Sequence, residues 1–448
     1  RGMRRLAHRV ERSCTSTLSK LLRDDANRRT HGLSYGEFRK LYEELEKTVL
    51  AGDDQRTSDE TQMARGPGFQ RDEVSDRELK ALITAGLAGV APPAPPAMAW
   101  PKEGPKAALQ GQLRHIGREL MEVNALLDGA VLAAPAISPV VRDSVVKLFG
   151  TAGKRLRPAL VLLVSRALGA AAGDMTRVAK LAASVEVLHC ASLVHDDILD
   201  SAALRRGEPT AHVLLGERAA TLVGDFLFAT SSCLVADLGN MPVVLLIAKV
   251  VADFGRGELA QSAIRFEAVD YSLDDYLAKS FYKTASLLAA ACQAAAVLSK
   301  AKADSAEAIA CYRFGAYIGL AFQVVDDVLD FTASEEELGK PALADLKEGN
   351  LSAPVLFAAQ QTLGAHGGQA LAPAHRAELL AALDRRLARD GDLERVLDLV
   401  EEAQGVAQAK ALARRFADLA IAELAHIPEG EARDGLRTFA EFVVVRTS

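Results

Sequence analysis

From about residue 106 to the end of the chain, the sequence predicts an all-α domain. Apolar residues recur there at three- and four-residue spacing over long segments, which is the period of an amphipathic helix. Ala, Leu, Glu, Lys and Arg dominate, and all of them favour helices. Strict alternation of apolar and polar residues over a strand length is scarce. Several segments are apolar on nearly every side, so we expect a central bundle of helices wrapped by others.

The predicted helical segments are separated by glycine and proline residues at the positions where helices should end, for example at Gly239–Pro242. Such punctuation divides the domain into about ten or more helices. The long predicted segments are 155–170, 176–200, 212–238, 241–268, 274–299 and 304–331.

The N-terminal quarter of the chain differs in composition. Residues 1–30 hold eight arginines and few acidic residues, which is typical of an organelle transit peptide or of a basic disordered tail. Residues 31–105 are predicted to be a disordered or weakly structured extension that ends in a proline-rich linker. We therefore place the folded domain at residues 106–448.

Composition limits the possible functions. The net charge of -6 gives no reason to expect a nucleic-acid partner. The five cysteines are scattered and form no C-x-x-C pair, so neither a disulfide framework nor a thiolate zinc site is indicated. No stretch stands out as a membrane-spanning helix. We expect at most a peripheral membrane contact, which could serve product release.

The segment LVHDDILD places three aspartates, Asp196, Asp197 and Asp200, in a mainly apolar helical stretch. Residues three and four positions apart share one face of a helix, so Asp200 stands over the other two. Three clustered carboxylates repel one another unless cations neutralise them. Taken alone, this motif indicates either a metal site or a solvated charged patch.

A second segment, FQVVDDVLDF, repeats the same spacing with Asp326, Asp327 and Asp330. Two such helices facing each other would line a cavity with carboxylates. Hard oxygen ligands of this kind suit Mg²⁺, which usually keeps waters and bridges to substrate phosphates. The repeated motif therefore predicts a magnesium-dependent site for a diphosphate.

Basic clusters accompany both aspartate motifs, as a diphosphate site requires. The fork of an arginine guanidinium suits phosphate oxygens, and lysine supplies a compact positive charge. The clusters lie in GKRLRP, RRGEPT, KTASL and GKPALADLKEGN, and they contain Lys154, Arg155, Arg157, Arg205, Arg206, Lys283 and Lys340.

An alternative interpretation rests on two E-x-x-H pairs, Glu186 with His189 and Glu423 with His426. Two such pairs in an all-α bundle are typical of di-iron carboxylate proteins. That site also needs a glutamate from each of two further helices, which the sequence does not single out. This interpretation leaves the aspartate motifs and the basic clusters unexplained.

These residues give the chain a close resemblance to the trans-isoprenyl diphosphate synthases, and within them to the plastid-type solanesyl diphosphate synthases. The resemblance runs from about residue 108 to the end. It is carried by GKRLRPALVLLVSRA, EVLHCASLVHDDILDSAALRRGEPTAH, GDFLFA, SFYKTASLLAA, LAFQVVDDVLDF and GKPALADLKEGNLSAPV. It implies an isoprenoid-synthase-type helical bundle around a central cavity.

The resemblance also implies a role for each matching residue. The six motif aspartates would hold Mg²⁺, about three ions per active site. Catalysis would rest on Asp196, Asp197, Asp200, Asp326, Asp327 and Lys283. The allylic diphosphate would contact Arg205, Lys283, Thr284, Gln323 and Lys340. The isopentenyl diphosphate pocket would contain Lys154, Arg157, His189 and Arg206.

The same resemblance implies a prenyltransferase that extends farnesyl or geranylgeranyl diphosphate with isopentenyl diphosphate, usually as a homodimer. Plastid targeting follows from the relatives, with the mitochondrion as the alternative. Some relatives with this fold are inactive regulatory subunits, and these commonly lose aspartate or basic positions. Because both motifs and the basic set are intact here, we expect an active enzyme.

Product length follows from helix geometry. Ser192 lies one turn before Asp196, and Ala191 lies beside it on the next row of the helix. A product growing from the metal site would run along this face, and small residues leave it room. Relatives that make short products carry bulky residues there, so we expect a long product of about nine isoprene units. Alternatively, the small residues serve only close helix packing.

Overall fold

The computed structural model describes residues 71–88, 109–111, 113–132, 145–147, 149, 155–205, 207–264, 271–299, 301–333, 343–360 and 371–446. The predicted transit segment, residues 1–30, lies outside the described residues. Most of the predicted extension at residues 31–105 lies outside them as well.

Within the described residues the fold is almost entirely helical, as the sequence predicts. The helices are α1 (Arg71–Leu87), α2 (Gly117–Leu132), α3 (Leu156–Ala167), α4 (Ala172–Leu199), α5 (Ala211–Leu215), α6 (Glu217–Ala236), α7 (Met241–Ile264) and α8 (Leu273–Ser280). A π-helical turn (Phe281–Ala285) leads into α9 (Ser286–Leu298), α10 (Ala306–Thr332), α11 (Ala344–Glu348), α12 (Ala353–Ala359), α13 (Pro373–Asp384), α14 (Asp392–Glu402), α15 (Gly405–Glu423) and α16 (Glu431–Val445). A 3₁₀ turn occupies Leu424–His426, and strands β1 (Leu204–Arg205) and β2 (Glu208–Pro209) form a two-stranded antiparallel hairpin.

Helix α1 departs from the prediction for residues 31–105. It carries Leu79, Leu82 and Ile83 into the core, where each is at most 7% exposed, and it packs on α15. The three residues share one face because their spacing is three and four, a signal that is too short to stand out in a polar region. The part of the chain packed on the domain therefore includes at least one helix before residue 106.

Two predicted helices are interrupted in the structure. The segment 212–238 is divided at Gly216, whose φ of 80° lies in the left-handed region that ends a helix. The segment 274–299 begins with a capping box, in which Ser272 and Asp275 satisfy each other's backbone N–H groups. Its middle is widened by the π-helical turn Phe281–Ala285. Such single π turns commonly occur at functional sites.

The centre of the bundle is formed by α4, α9 and α10, which are rich in fully buried alanine, leucine and valine. Helix α4 packs extensively on α6, and α10 packs on both α9 and α15. Both aspartate motifs lie near the C-terminal ends of central helices, at the end of α4 and in the last two turns of α10. The fold therefore brings the two motifs into one region.

Two glycines allow neighbouring helices to approach the π-helical turn closely. A Cβ atom on Gly257 of α7 would lie 3.0 Å from the backbone nitrogen of Lys283. A Cβ atom on Gly319 of α10 would overlap the Cα atom of Ala285. The turn is therefore held closely between α7 and α10, and at Gly319 the distance is one that only glycine permits.

Four helices among the described residues are long and apolar enough to cross a membrane by length and composition, although no such stretch stood out in the sequence. They are Gly173–Leu199, Glu217–Ala236, Leu273–Leu298 and Ala306–Thr332. In three of them 72–78% of the apolar stretch is buried inside the protein, which accounts for their hydropathy as core helices. In Glu217–Ala236 the buried share is 33%. That helix therefore presents an apolar face outward.

Candidate active site

The first aspartate motif occupies the last turn of α4, where Asp200 is the C-terminal cap residue. Asp197 is only 3% exposed, and its carboxylate accepts hydrogen bonds from Nε and Nη2 of Arg205 at 2.7–3.1 Å. Arg205 lies on β1 of the short hairpin that directly follows the helix. The cation that balances this buried carboxylate therefore comes from the same local segment, and the bidentate geometry fixes its orientation.

Asp196 lies beside Asp197 in a different electrostatic environment. Burial raises the pKa of Asp196 to about 7, although the positive charge of Lys283 opposes the rise. The nearby carboxylate of Glu258 raises it further. An ionised carboxylate is costly in such a place unless a cation joins it. Asp196 is therefore suited to bind a cation that is not part of the protein.

The second aspartate motif lies on α10, and three groups hold its buried middle residue, Asp327. The carboxylate accepts hydrogen bonds from Tyr276 Oη at 2.7 Å, from Gln323 Nε2 at 2.9 Å and from the Ala353 backbone N–H at 3.4 Å. Burial raises the pKa of Asp327 to about 6, although nearby Lys279 opposes the rise. Three helices therefore position this one side chain.

The first aspartate of the second motif is held by the C-terminal end of the chain. Arg446 Nη2 donates to Asp326 Oδ1 at 2.6 Å and to the Phe322 carbonyl at 2.8 Å. The guanidinium also stacks on the Phe322 ring, with its Cζ 3.6 Å from the ring centroid. The Arg446 side chain is 6% exposed, so a residue that follows the last helix directly is built into the site.

Asp330, the last residue of the second motif, is 1% exposed. Its backbone carbonyl accepts a hydrogen bond from the Leu343 N–H at 3.2 Å, which joins the end of α10 to the start of α11. The carboxylate is therefore more deeply buried than that of Asp326.

One cavity joins the two motifs. Asp200 of the first motif and Asp327 of the second both line it, together with Lys283 and Gln323. Asp345 of α11 adds another carboxylate to the same lining. The structure therefore brings carboxylates from three helices, a lysine and a glutamine amide around one polar space.

Lys283 and Thr284 lie side by side on the π-helical turn. Lys283 Nζ lies 2.8 Å from Glu258 Oε1 and donates to Gln261 Oε1 at 3.2 Å, and both partners lie on α7. Thr284 Oγ1 donates to Gln323 Oε1 at 2.8 Å, which couples the turn to α10. The predicted grouping of the lysine, the threonine and the glutamine is therefore what the structure shows.

Of the remaining predicted substrate-binding residues, the structure describes two, Arg157 and His189. Arg157 of α3 lies with its Cζ 6.0 Å from the centroid of the Phe322 ring, next to Arg446 on the same ring. His189 is half-buried on α4, two turns before Asp196. Three predicted cations, Lys154, Arg206 and Lys340, lie outside the described residues.

The carboxylates suit Mg²⁺, although no three His, Cys, Asp or Glu side chains in the described ranges already lie close enough to hold a metal ion. Mg²⁺ typically takes one or two carboxylates and completes its octahedron with water and substrate phosphates. A donor set of hard oxygens on the walls of one cavity fits that preference. We call the first motif on α4 the first wall and the second motif on α10 the second wall. Metal ligands would then come from the first wall through Asp196 and Asp200, and from the second through Asp326 and Asp327.

The di-iron interpretation does not fit the structure. Glu186 is 1% exposed and accepts a hydrogen bond from Arg155 Nη1 at 3.1 Å. Arg155 also donates to Asn124 Oδ1 at 3.1 Å and has a φ of 51°, directly before α3. Glu186 is thus a buried partner of this arginine, and Arg155 has a structural role instead of the phosphate contact that its basic cluster indicated.

Several site residues could not be found by reading motifs. Tyr276 lies seven residues before Lys283, and Gln261 and Glu258 are three apart on α7, a spacing shared by many helical pairs. Lys279 lies one turn before Lys283 and could have been noticed on that ground. Arg446 carries no sequence signal, because its partner Asp326 is 120 residues away.

The polyprenyl synthetase family model matches residues 138–400 of the chain, a span that contains both aspartate motifs and the KT pair. The chain belongs to the polyprenyl synthetase family. The predicted family, the all-α isoprenoid-synthase fold and the prenyltransferase activity are thereby confirmed. An inactive subunit and a di-iron bundle are not favoured.

Similar proteins agree with this membership. The chain is 44% identical over 308 residues to a prenyl transferase of Cyanophora paradoxa, covering 69% of this chain and 90% of that protein. It is 41% identical over 328 residues to the chloroplastic solanesyl diphosphate synthase 1 of Arabidopsis thaliana, covering 72% and 76%. These relatives confirm the prediction of a long-chain trans-prenyl diphosphate synthase.

Solved structures show the same fold. A polyprenyl synthase from Caulobacter crescentus, complexed with calcium and isoprenyl diphosphate, has a TM-score of 0.66 and 32% identity. It covers 76% of this chain and 98% of its own. A decaprenyl diphosphate synthase from Rhodobacter capsulatus has a TM-score of 0.67 and 31% identity, covering 76% and 99%.

Proposed function

We propose that this polyprenyl synthase makes solanesyl diphosphate by repeated addition of isopentenyl diphosphate to farnesyl or geranylgeranyl diphosphate. The observation that carries the site assignment is that Asp200 and Asp327, one from each motif, line one cavity with Lys283. The solanesyl product is supported by similarity to relatives of that name. These relatives are chloroplastic, which supports a plastid location over the mitochondrial alternative.

The reaction needs stabilisation of negative charge more than a protein nucleophile. The bond between the allylic carbon and the diphosphate oxygen breaks, and the isopentenyl double bond attacks the allylic cation. A proton is then lost, and the released diphosphate is a suitable base. Charge builds on the leaving diphosphate, so fixed cations near it lower the barrier. We assign this role to Lys283, which lines the cavity, and to Arg205. A cavity that keeps water from the allylic cation would favour the coupling over hydrolysis.

Mg²⁺ would supply Lewis-acid stabilisation of the leaving diphosphate when bound. About three ions would fit a diphosphate held between two carboxylate walls. Asp196 and Asp200 would hold ions from α4, and Asp326 and Asp327 from α10. Asp197 and Asp330 are more deeply buried. We assign them two roles: they orient the neighbouring aspartates, and they make the metal contact predicted from the motif.

The second substrate, isopentenyl diphosphate, needs its own cationic pocket. Arg157 of α3 lies near the Phe322 ring, and His189 lies on α4. We assign these two residues, with Lys154 and Arg206, to that pocket. Arg205, Lys283, Thr284, Gln323 and Lys340 are assigned to the allylic diphosphate.

We assign the control of product length to Ala191 and Ser192 on α4. Ala191 is fully buried, and the Ser192 hydroxyl donates to the His189 carbonyl of its own helix at 2.9 Å. Because the hydroxyl is satisfied within α4, this face presents an essentially apolar surface to a growing chain. Replacing both residues with Phe should shorten the product by several isoprene units, as measured by mass spectrometry. Products of unchanged length would reject the assignment.

The outward apolar face of α6 and α7 supports a homodimer. Leu222 is 61% exposed, Leu245 47% and Leu259 56%, and only 33% of the apolar stretch of α6 is buried. Exposed apolar surface on this scale is typical of a subunit interface. Replacing Leu222 and Leu245 with Asp should yield monomers in analytical ultracentrifugation. Dimers of unchanged stability would place the interface elsewhere.

A further inference from the structure

Lys279 is a second lysine in the cavity, and neither the aspartate motifs nor the basic clusters assign it a role. It lies at the end of α8, four residues before Lys283. Residues four apart share one face of a helix, and both lysines line the cavity. Among the described residues of that lining, these two are the cations.

The surroundings of Lys279 hold it toward the cavity. Its ammonium lies 5.3 Å from the centroid of the Tyr276 ring, one turn earlier on α8. Tyr276 is itself fixed by the hydrogen bond that it donates to Asp327. The lysine stem therefore rests on a ring whose position depends on the second aspartate motif.

The two lysines differ in their partners. The Lys283 ammonium has the Glu258 carboxylate at 2.8 Å. Within the described part of the chain, no ion pair within 4.0 Å joins the Lys279 ammonium to a carboxylate, and the carboxylates of Asp327, Asp345 and Glu258 influence it electrostatically. A half-buried ammonium without a direct anionic partner carries a desolvation cost, so this position suits an anion supplied from outside the protein.

The charges around Lys279 also favour an anionic ligand. Burial lowers the pKa of Lys279, and the neighbouring Lys283 lowers it further, whereas Asp327 and Asp345 oppose the shift. Like charges four residues apart destabilise a helix slightly, and an anion between them removes that cost. Two ammonium groups on one face match the spread of charge over a diphosphate better than a single one.

We propose that Lys279 is a second diphosphate-binding residue, which contacts the same diphosphate group as Lys283. This inference rests on the proposed diphosphate site and deepens it by adding a ligand contact from α8. The competing explanation is that Lys279 only balances the charge of Asp327 and Asp345. The two explanations differ in whether ligand affinity or the stability of the free protein depends on the lysine.

The test uses the full chain with Mg²⁺ and inorganic pyrophosphate, and it measures Kd by titration calorimetry. Lys279→Met should weaken pyrophosphate binding about 10-fold or more, because it removes one charge-assisted contact. Lys279→Arg, which keeps the charge, should recover most of the affinity. Lys302→Met, at an exposed lysine outside this cavity, is the matched control and should bind like the wild type.

Thermal unfolding without ligand separates the two explanations. If Lys279 contacts the ligand, Lys279→Met should keep or raise the midpoint of the free protein, and pyrophosphate should stabilise it less than the wild type. A lowered midpoint with an unchanged Kd would overturn the inference and support charge balance. A wild-type protein that does not bind pyrophosphate with Mg²⁺ would reject the proposed site itself, and the inference with it.

Discussion

The two aspartate motifs share one spacing, yet the protein holds them in different ways. In the first motif, the buried Asp197 is balanced by Arg205, eight residues further along the chain. In the second motif, the buried Asp327 is held by a tyrosine 51 residues away and by Gln323 of its own helix. The first motif is thus a local unit of helix end and hairpin, whereas the second is assembled from distant helices.

The difference also concerns the kind of partner. A bidentate arginine fully balances the charge of Asp197. A tyrosine hydroxyl and an amide hydrogen-bond Asp327 without neutralising it, and burial raises its pKa to about 6. On the first wall the desolvated carboxyl is instead that of Asp196, with a pKa raised to about 7. Each wall therefore contains one carboxyl group whose raised pKa favours the binding of a cation, Asp196 on the first wall and Asp327 on the second.

The largest expected effect concerns both walls at once. Asp196→Ala and Asp326→Ala should each lower turnover at least about 100-fold, because each removes a ligand for the cations that stabilise the leaving diphosphate. The assay follows isopentenyl diphosphate incorporation with Mg²⁺ and farnesyl diphosphate. Asp304→Ala, at an exposed aspartate outside the cavity, is the control. Activity within a few-fold of wild type in either variant would show that its wall is dispensable.

A sharper comparison removes the partner of each buried aspartate. Arg205→Ala leaves the Asp197 carboxylate buried with its balancing charge removed, and should lower the free energy of unfolding by about 3 kcal/mol. Tyr276→Phe removes one of three hydrogen bonds to Asp327 and should cost about 1 kcal/mol. Urea denaturation measures both. Equal losses would mean that the two walls are held alike.

Arg446 provides an intermediate test, since it ties the end of the chain to the second wall. Arg446→Ala removes a charge-assisted hydrogen bond and a stacking contact, and should lower the free energy of unfolding by about 2 kcal/mol. Arg437→Ala, at an exposed arginine of α16, should leave stability near the wild-type value. An unaffected Arg446 variant would show that the second wall does not depend on this arginine.

The smallest effect is a pH dependence. The pKa values of Asp196 and Asp327, about 7 and about 6, exceed the ordinary value of 3.8, so the folded state binds more protons than the unfolded state between about pH 4 and 7. Their contribution to stability therefore falls as pH rises through this window and is constant above it. Without added divalent ions, Asp196→Asn should unfold about 2–4 °C above the wild type at pH 8 and near it at pH 5. A variant that is less stable than the wild type at pH 8 would contradict the raised pKa.

Sequence reasoning succeeded where the signal is local. Helical periodicity predicted the central helices within a few residues, and the repeated D-D-x-x-D spacing predicted a cavity lined by both motifs, which Asp200 and Asp327 do line. The pairing of Thr284 with Gln323 followed from the family resemblance. These features depend on residues that are close in the chain or on a motif whose chemistry is restrictive.

The parts that could not be predicted depend on contacts between distant segments. The place of Arg446 follows from how the last helix packs, and the π-helical turn lies in close contact with Gly257 and Gly319 of two other helices. Helix α1 was missed because its short apolar face lies in a polar region and is stabilised only by the domain that it packs on. Membrane-like hydropathy in the core helices likewise has a tertiary origin.

The central claim, that the two carboxylate walls bind one diphosphate through metal ions, is tested most directly by anomalous diffraction. Crystals grown with Mn²⁺ and a non-hydrolysable thiolo analogue of farnesyl diphosphate would show each metal position. The account predicts anomalous peaks within about 2.5 Å of carboxylate oxygens from both α4 and α10, with the analogue's phosphates between them. Peaks confined to one helix, or a diphosphate bound away from both motifs, would contradict it.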